Sequence, residues 1–287
     1  VIAQIDTGFM LDHPALQGRL VSDGIDLSGD GRANAAYDTR QRGATYWHAT
    51  AVASVLAGNT DENVKILPYK VVRFGTDTCA ASAVLAAMED AVAKGARVLN
   101  MSLSTSQNRA GFAAMMDKAA ALGVAVCCSA GNAGAQVSNR YPSALPQTIT
   151  VSAVTADKTV AGFSNYGDLV DYCAPGSHIT VATMDSGGAP AATTASGTSL
   201  SCPYGAACCA LLLSLHPDLT LGQLNALLQG SAEDLGDLGF DPIYGNGLLR
   251  LDNLTQTGTT GNLTYTLTLP EGTLACLLYT SPSPRDK

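Results

Sequence analysis

The sequence predicts an α/β fold of three layers, α/β/α, with helices covering both faces of a mainly parallel, twisted sheet. Three observations predict it. Short apolar runs of strand length alternate with longer stretches of helical apolar spacing, the pattern of β-α-β units. The apolar runs are continuous rather than alternating, as in strands buried on both faces. The composition suits closely packed layers: of 287 residues only 14% are charged and 6% aromatic, while 29 are glycine. That length is enough for one large domain with a substantial core.

Val1-Ile2-Ala3-Gln4-Ile5 is the first strand, an apolar run that stops at Asp6-Thr7-Gly8. Asp23 to Gly43 is polar, rich in Gly and Asp, and reads as loop. Trp47 to Gly58 reads as a helix opened by His48 and closed by glycine, and Val64 to Val72 as a strand. Ala80 to Lys94 has helical spacing and stops at Gly95, a residue suited to the left-handed position after a helix. Arg97 to Ser104 reads as a strand, Gln107 to Leu122 as a helix ended by Gly123, and Val124 to Cys128 and Thr148 to Val154 as strands. Leu200 to Leu215 is the longest helix, ending at His216-Pro217-Asp218, where proline cannot continue it. Leu219 to Leu228 is a further helix and Gly247 to Leu251 a late strand. Residues 1–256 therefore read as one domain. The alternation over Asn262 to Leu269 places the start of a separate β segment in 257–275. Residues 276–287, from Cys276-Leu277-Leu278-Tyr279 onward, read as a translated sequencing adapter rather than native protein.

Three polar residues sit where such a fold places chemistry. Asp6 ends a buried strand, at the edge where open α/β sheets hold their sites. His48 opens a helix. Ser199, in Ser196-Gly197-Thr198-Ser199, lies where a helix begins and unpaired N–H groups favour developing negative charge. Singly they are explained as a turn aspartate, a helix-start histidine and a helix cap. Together they supply a hydroxyl, a base to take its proton and a carboxylate to fix the base in one tautomer. The order Asp, His, Ser is one of three unrelated orders known for this triad, and it differs from the α/β-hydrolase order, where serine comes first. No G-x-G-x-x-G follows the first strand, which counts against a dinucleotide-binding domain.

The motifs Ile5-Asp6-Thr7-Gly8, the His48 helix, Asn100-Met101-Ser102-Leu103, Ser129-Ala130-Gly131-Asn132, Phe163-Ser164-Asn165-Tyr166-Gly167, Ala174-Pro175-Gly176 and Ser196-Gly197-Thr198-Ser199 occur in this order. In that set the chain resembles the subtilisin-like serine proteases (subtilases), over roughly residues 1 to 252. The resemblance implies a subtilisin-like α/β/α catalytic domain and a serine endopeptidase that works through an acyl-enzyme. It makes Asp6 the orienting acid, His48 the general base and then acid, and Ser199 the nucleophile. Asn132 becomes the oxyanion donor beside the Ser199 N–H. It also implies an extended peptide paired with Ser102, Leu103 and Ser104, with Ser129, Ala130 and Gly131 as the opposite wall of the pocket. The alternative is a catalytically silent relative serving in binding or signalling, against which the intact set of Asp6, His48, Ser199 and Asn132 argues.

Several positions depart from the family pattern. Ser104-Thr105 stands where a small flexible residue often follows the Ser-Leu pair, which implies narrower outer subsites. Leu200 replaces the methionine common after the nucleophile, and Ala49 and Ala51 replace a glycine and a histidine. Arg140 precedes Tyr141-Pro142, at a place that is often small and at the pocket floor in the family. A cation in such a partly desolvated slot implies a preference for Glu or Asp before the scissile bond.

The resemblance implies protein or peptide substrates, and composition counts against other partners. A net charge of −8 counts against nucleic acid or an anionic membrane, and no apolar run reaches the roughly 20 residues of a membrane span. No cysteine spacing matches a zinc site. Of the eight cysteines, Cys127, Cys128, Cys173, Cys208 and Cys209 lie in apolar runs and read as buried free thiols, and Cys202 is a nucleophile only in principle. Free thiols suit a reducing setting, although a secreted protein can bury them. Many subtilases bind calcium after the histidine helix. Here that region holds only Asp61, Glu62 and Asn63, fewer oxygens than calcium needs, so no metal or other cofactor is expected from it. By resemblance the protein is a secreted, bacterial enzyme, with a signal peptide and pro-region expected to precede Val1.

Overall fold

Seven strands form one sheet in the order β2-β3-β1-β4-β5-β6-β7, every neighbouring pair parallel. They are β1 (Ile2–Asp6), β2 (Ile25–Asp26), β3 (Ile66–Lys70), β4 (Val98–Met101), β5 (Ala125–Ser129), β6 (Ile149–Val154) and β7 (Tyr172–Pro175). The helices are α1 (His48–Gly58), α2 (Ala81–Ala93), α3 (Arg109–Ala121), α4 (Thr198–Leu215) and α5 (Leu221–Ser231). This computed structural model describes residues 1–37, 47–76 and 78–250, and the backbone of two strands at 257–260 and 263–266. The structure is the expected three-layer α/β/α arrangement.

Successive strand residues face opposite layers, and this sorts the core in two. On one side Ile2, Ile66, Val98, Cys127 and Val151 pack with α1, α4 and α5. On the other, Ala3, Ile5, Leu67, Leu99, Val126 and Cys128 pack with α2 and α3. The neighbouring Cys127 and Cys128 thus go to different layers. Gln4 and Asp6, in step with Ile2, face the α1/α4 side. Strand order reverses at β1, so Asp6 sits at the crevice between diverging connections.

α4 is the central helix. It is long and apolar enough to cross a bilayer by length and composition, which the sequence reading did not anticipate. Its apolar surface is instead covered by the sheet, α1 and α5, and most of it is buried.

Three expectations need correction. Two strands, β8 (Ile179–Met184) and β9 (Pro190–Ala195), pair antiparallel as a hairpin outside the main sheet, and neither they nor β7 was foreseen. The expected loop from Asp23 contains the short β2; its residues 38–43 lie outside the described residues. The expected late strand at Gly247–Leu251 is only two bridges at Leu248, to Cys173 and to Glu233. Gly245 and Gly247 adopt φ of 65° and 106°, which prevents a continuous extended run; Leu251 lies outside the described residues. Strands β10 (Thr257–Thr260) and β11 (Leu263–Thr266) pair with each other antiparallel, within the expected β segment. Residues 276–287 are not described.

At the carboxyl end of β3 a buried cation is enclosed by acids. The Lys70 side chain is 1% exposed, with its amine 2.5 Å from Asp30 and 3.5 Å from Asp26. It also donates to Ser28 Oγ at 2.6 Å and to the Val72 carbonyl at 3.0 Å. Burial pushes the Asp30 carboxyl up, but hydrogen bonds from Lys70 and the Phe74 N–H, with the Lys70 charge, outweigh it and hold the pKa below the usual carboxylate range. Stability from Asp30 is therefore present above the ordinary aspartate pKa and lost as pH falls through the folded one. Lys70→Met leaves Asp30, among the described residues, with the exposed Arg73 guanidinium at 3.9 Å as its only cation, and is expected to cost about 3 kcal/mol near neutral pH. Denaturant unfolding across pH checks this: the deficit should shrink toward pH 4 as Asp30 protonates.

Candidate active site

Asp6 and His48 are brought together by a strand end and a helix start. Asp6 Oδ1 accepts from the Thr7 N–H at 2.6 Å and lies 2.7 Å from His48 Nδ1. The Asp6 side chain is 1% exposed and that of His48 28%, so the ring spans from the core to solvent. α1 has no side-chain cap of its own at Trp47. Thr7 supplies one from the strand, its hydroxyl accepting the Ala49 N–H at 3.0 Å. The Asp-Thr-Gly run therefore provides the carboxylate and fixes the helix that carries its partner.

α4 begins at Thr198, so Ser199 lies within its first turn rather than just ahead of it. First-turn N–H groups lack partners inside the helix. Pro203, further along, cannot donate to the Ser199 carbonyl four residues back. Ser102 takes that place, donating its hydroxyl to the Ser199 carbonyl at 2.8 Å. In return Ser199 Oγ donates to the Ser102 carbonyl at 3.3 Å. No hydrogen bond joins Ser199 to His48 in this state.

Asn132 faces the same turn. Its Oδ1 accepts from the Thr198 N–H at 2.8 Å and the Thr198 hydroxyl at 2.9 Å. Two donors on the oxygen fix the amide orientation, which leaves Nδ2 turned away with no protein partner among the described residues. Thr198 Oγ1 also accepts the Gly131 N–H at 3.0 Å. Thr198 is fully buried, and sequence reasoning missed it because it read the residue only as part of a turn.

The loop bearing Asn132 is gripped from behind by Asn165. The Asn165 Oδ1 accepts from the N–H groups of Ala133 (2.9 Å) and Ala135 (3.2 Å), and its Nδ2 donates to the Ala130 carbonyl at 2.9 Å. Gly131 has φ of +103°, and a Cβ there would fall 2.4 Å from Asn165 Nδ2; the close grip requires glycine. This accounts for the Phe163-Ser164-Asn165 motif. Ala174-Pro175-Gly176 serves α4 in the same way, since Gly176 O accepts the Gly197 N–H at 2.8 Å.

Ser102, Leu103 and Ser104 follow the end of β4, and Ser129, the last residue of β5, leads into Ala130 and Gly131, both at the same edge as Asp6. Thr105 and Tyr141 exchange two backbone hydrogen bonds, of 2.9 and 2.7 Å, which draws Arg140 to the 102–105 segment. The partly desolvated slot expected for Arg140 is not present: the residue is exposed and has no carboxylate partner among the described residues.

Burial lowers the proton affinity of His48, but the charge and hydrogen bond of Asp6 outweigh it, and the pKa is raised above the ordinary imidazole value. Cys202 is buried and its thiol is pushed up to about 12 by burial, so it stays neutral and is no nucleophile. The seven described cysteines are free thiols, six of them buried, with Cys127 and Cys209 sulfurs 3.8 Å apart. Asp61 spends Oδ1 on the N–H and side-chain amide of Asn63, at 2.9 and 2.6 Å. That turn does not fit a calcium site.

A family model described as the subtilase family matches residues 1–247. The chain belongs to the subtilase family. Subtilisin DY of Bacillus licheniformis is 32% identical over 264 residues, covering 88% of this chain and 89% of that protein. Subtilisin E of Bacillus subtilis (strain 168) is 31% identical over 265 residues, 89% of this chain and 65% of that protein. A solved structure of a cold adapted subtilisin-like serine proteinase matches with a TM-score of 0.67 at 30% identity, covering 86% of this chain and 85% of that one. This subtilase is thus a serine-type endopeptidase, a hydrolase acting on peptides.

Asn165→Ala frees both ends of the loop that carries Asn132. Peptidase kinetics are expected to show kcat reduced by about 10²-fold, the scale of a 1 Å misplacement. Asn132→Ala in the same background should add little, because the amide it removes is already misplaced.

Proposed function

We propose that this subtilase cleaves internal peptide bonds through an acyl-enzyme on Ser199. The single observation that carries the reading is the Asp6–His48 contact of 2.7 Å, at the crevice where α4 presents Ser199 and the loop after β5 presents Asn132. As the peptide binds, the Ser199 hydroxyl turns from the Ser102 carbonyl to His48 Nε2. Oγ attacks the scissile carbonyl carbon while His48 takes the proton, and the imidazolium is stabilised by Asp6. The carbonyl oxygen, now an oxyanion, accepts from Asn132 Nδ2 and the Ser199 N–H. The C–N bond breaks as His48 returns the proton to the leaving amine. Water, deprotonated by His48, then releases the acid product from Ser199. The peptide adds as a strand along Ser102–Ser104, against the wall of Ser129, Ala130 and Gly131.

A bacterial enzyme working outside the cell belongs to the same reading, supported by the Bacillus relatives. The buried thiols fit that setting because oxidants do not reach them. Incubation of the full chain with a fluorophosphonate probe tests the chemistry. Labelling should appear in the parent protein and vanish in Ser199→Ala. Folded protein that takes no label would favour a silent binding module.

Arg140 adds a selectivity reading: an acidic residue before the scissile bond. What supports it is an exposed cation without a carboxylate partner among the described residues, pinned to the substrate-lining segment through Thr105 and Tyr141. A charge pair at an exposed rim contributes modestly, so Glu should be cleaved about two- to fivefold better than Phe in matched peptides. Arg140→Gly should erase the difference; a Phe preference unchanged by that substitution would sink the idea.

A further inference from the structure

Gln4 is a polar residue in an otherwise apolar strand, fully buried and on the same face of β1 as Asp6. Its Nε2 donates to the Ala49 carbonyl at 2.8 Å and to Asp6 Oδ2 at 3.3 Å. Asp6 Oδ1 already serves the Thr7 N–H and His48. Gln4 is the one donor to Oδ2 among the described residues. The orientation of the amide follows from its neighbours. Both are acceptors, so a flipped amide would set Oε1 against a carbonyl and a carboxylate. In the orientation that satisfies them, Oε1 is buried without a partner among the described residues. A buried polar atom left unpaired is unfavourable, and it is tolerated here beside the carboxylate that faces His48.

We propose that Gln4 is a positioning residue for the Asp6–His48 pair. One proton of its amide holds the second oxygen of Asp6. The other holds the carbonyl of Ala49, the residue after His48 on α1. Strand, carboxylate and histidine-bearing helix are thereby fixed together, and the carboxylate cannot swing away from the ring. The bond also withdraws charge from Asp6, which tempers how strongly it favours the protonated imidazole. This rests on the triad reading given under the proposed function.

Among the described residues, the titratable groups that feel the Asp6 charge are His48 on α1, the Cys79 thiol beyond β3 and the Cys202 thiol on α4. Both thiols are pushed up by burial and stay neutral. Lys70 is the register partner of Asp6 on β3, but its amine is turned to Asp26 and Asp30. A change in the acidic limb of the pH profile therefore reports on His48.

The test compares the full chain with Gln4→Met and Gln4→Leu, which keep the bulk and remove the donor. Thermal unfolding, fluorophosphonate labelling and kcat/KM from pH 5 to about 9 are measured for each. The expected result is folded protein, a plateau kcat about three- to tenfold lower with KM little changed, and an acidic limb moved up by about half a pH unit. A folded variant with lower thermal stability and an unmoved limb would show a packing role only and overturn the proposal. So would a limb moved down, or failure of both variants to fold, since the amide would then be a core bond first. If the parent protein takes no label, the triad reading fails; if it labels and the limb does not respond, only the role of Gln4 fails.

Discussion

The rest of the site depends on one constraint: the residue at the N-cap of α4 has no side chain and cannot cap the helix. Its N-cap is Gly197, and no side chain at that position bonds back to the first turn. Other elements supply what is missing. Asn132 from the loop after β5 takes the Thr198 N–H, and Gly176 from the end of β7 takes the Gly197 N–H. Ser102 from the end of β4 takes the carbonyl that Pro203 leaves open. Each bond satisfies a backbone group that would otherwise be buried and unpaired. Each also delivers a functional segment to Ser199. The groups needed for chemistry are the groups needed to finish the helix.

The same arrangement recurs at α1. Trp47 offers no cap, and Thr7 reaches from β1 to the Ala49 N–H. Asp6 lies beside Thr7 and His48 beside Ala49, so the capping bond and the Asp6–His48 contact are adjacent ties between the same two elements. Satisfying one holds the other in register. Loops anchored to a rigid sheet edge in this way can carry side chains at fixed separations without being buried themselves.

Much of this is legible in the sequence because the informative residues stand at element ends. Asp6 closes an apolar run, His48 opens a helix and Ser199 sits at a glycine turn, and chain order joins them. Arg140 and the late strand were harder, because side-chain exposure and the backbone angles at Gly245 and Gly247 depend on what surrounds the loop. The β8–β9 hairpin did carry a signal, since Ile179 and Val181 alternate with polar residues before Asp185-Ser186-Gly187-Gly188. It was masked by the continuous runs that dominate the chain. Asn165 and Thr198 are ordinary loop residues by composition. Their roles come from the three-dimensional closeness of segments far apart in the chain, which periodicity does not encode.

Polarity along the strands carries a further lesson. β1 runs from Ile2 to Asp6, β3 from Ile66 to Lys70 and β5 from Ala125 to Ser129, apolar at the amino end and polar at the carboxyl end, all buried. β4 runs from Val98 to a buried Asn100 one residue before its end. In a parallel sheet these ends lie on one edge. Stacking the apolar ends gives a stem with nothing to satisfy. Stacking the polar ends gathers buried donors and acceptors, which must pair with one another or with incoming loops. Lys70 does so with Asp26 and Asp30, Asp6 with His48, and Asn100 with the Cys202 thiol at 3.2 Å. The polar edge thus fixes the loops above it in a low-dielectric setting, where a bond of the Asp6–His48 kind is strongest. A buried strand that turns polar toward its carboxyl end is, in a parallel sheet, a pointer to the edge where the site lies.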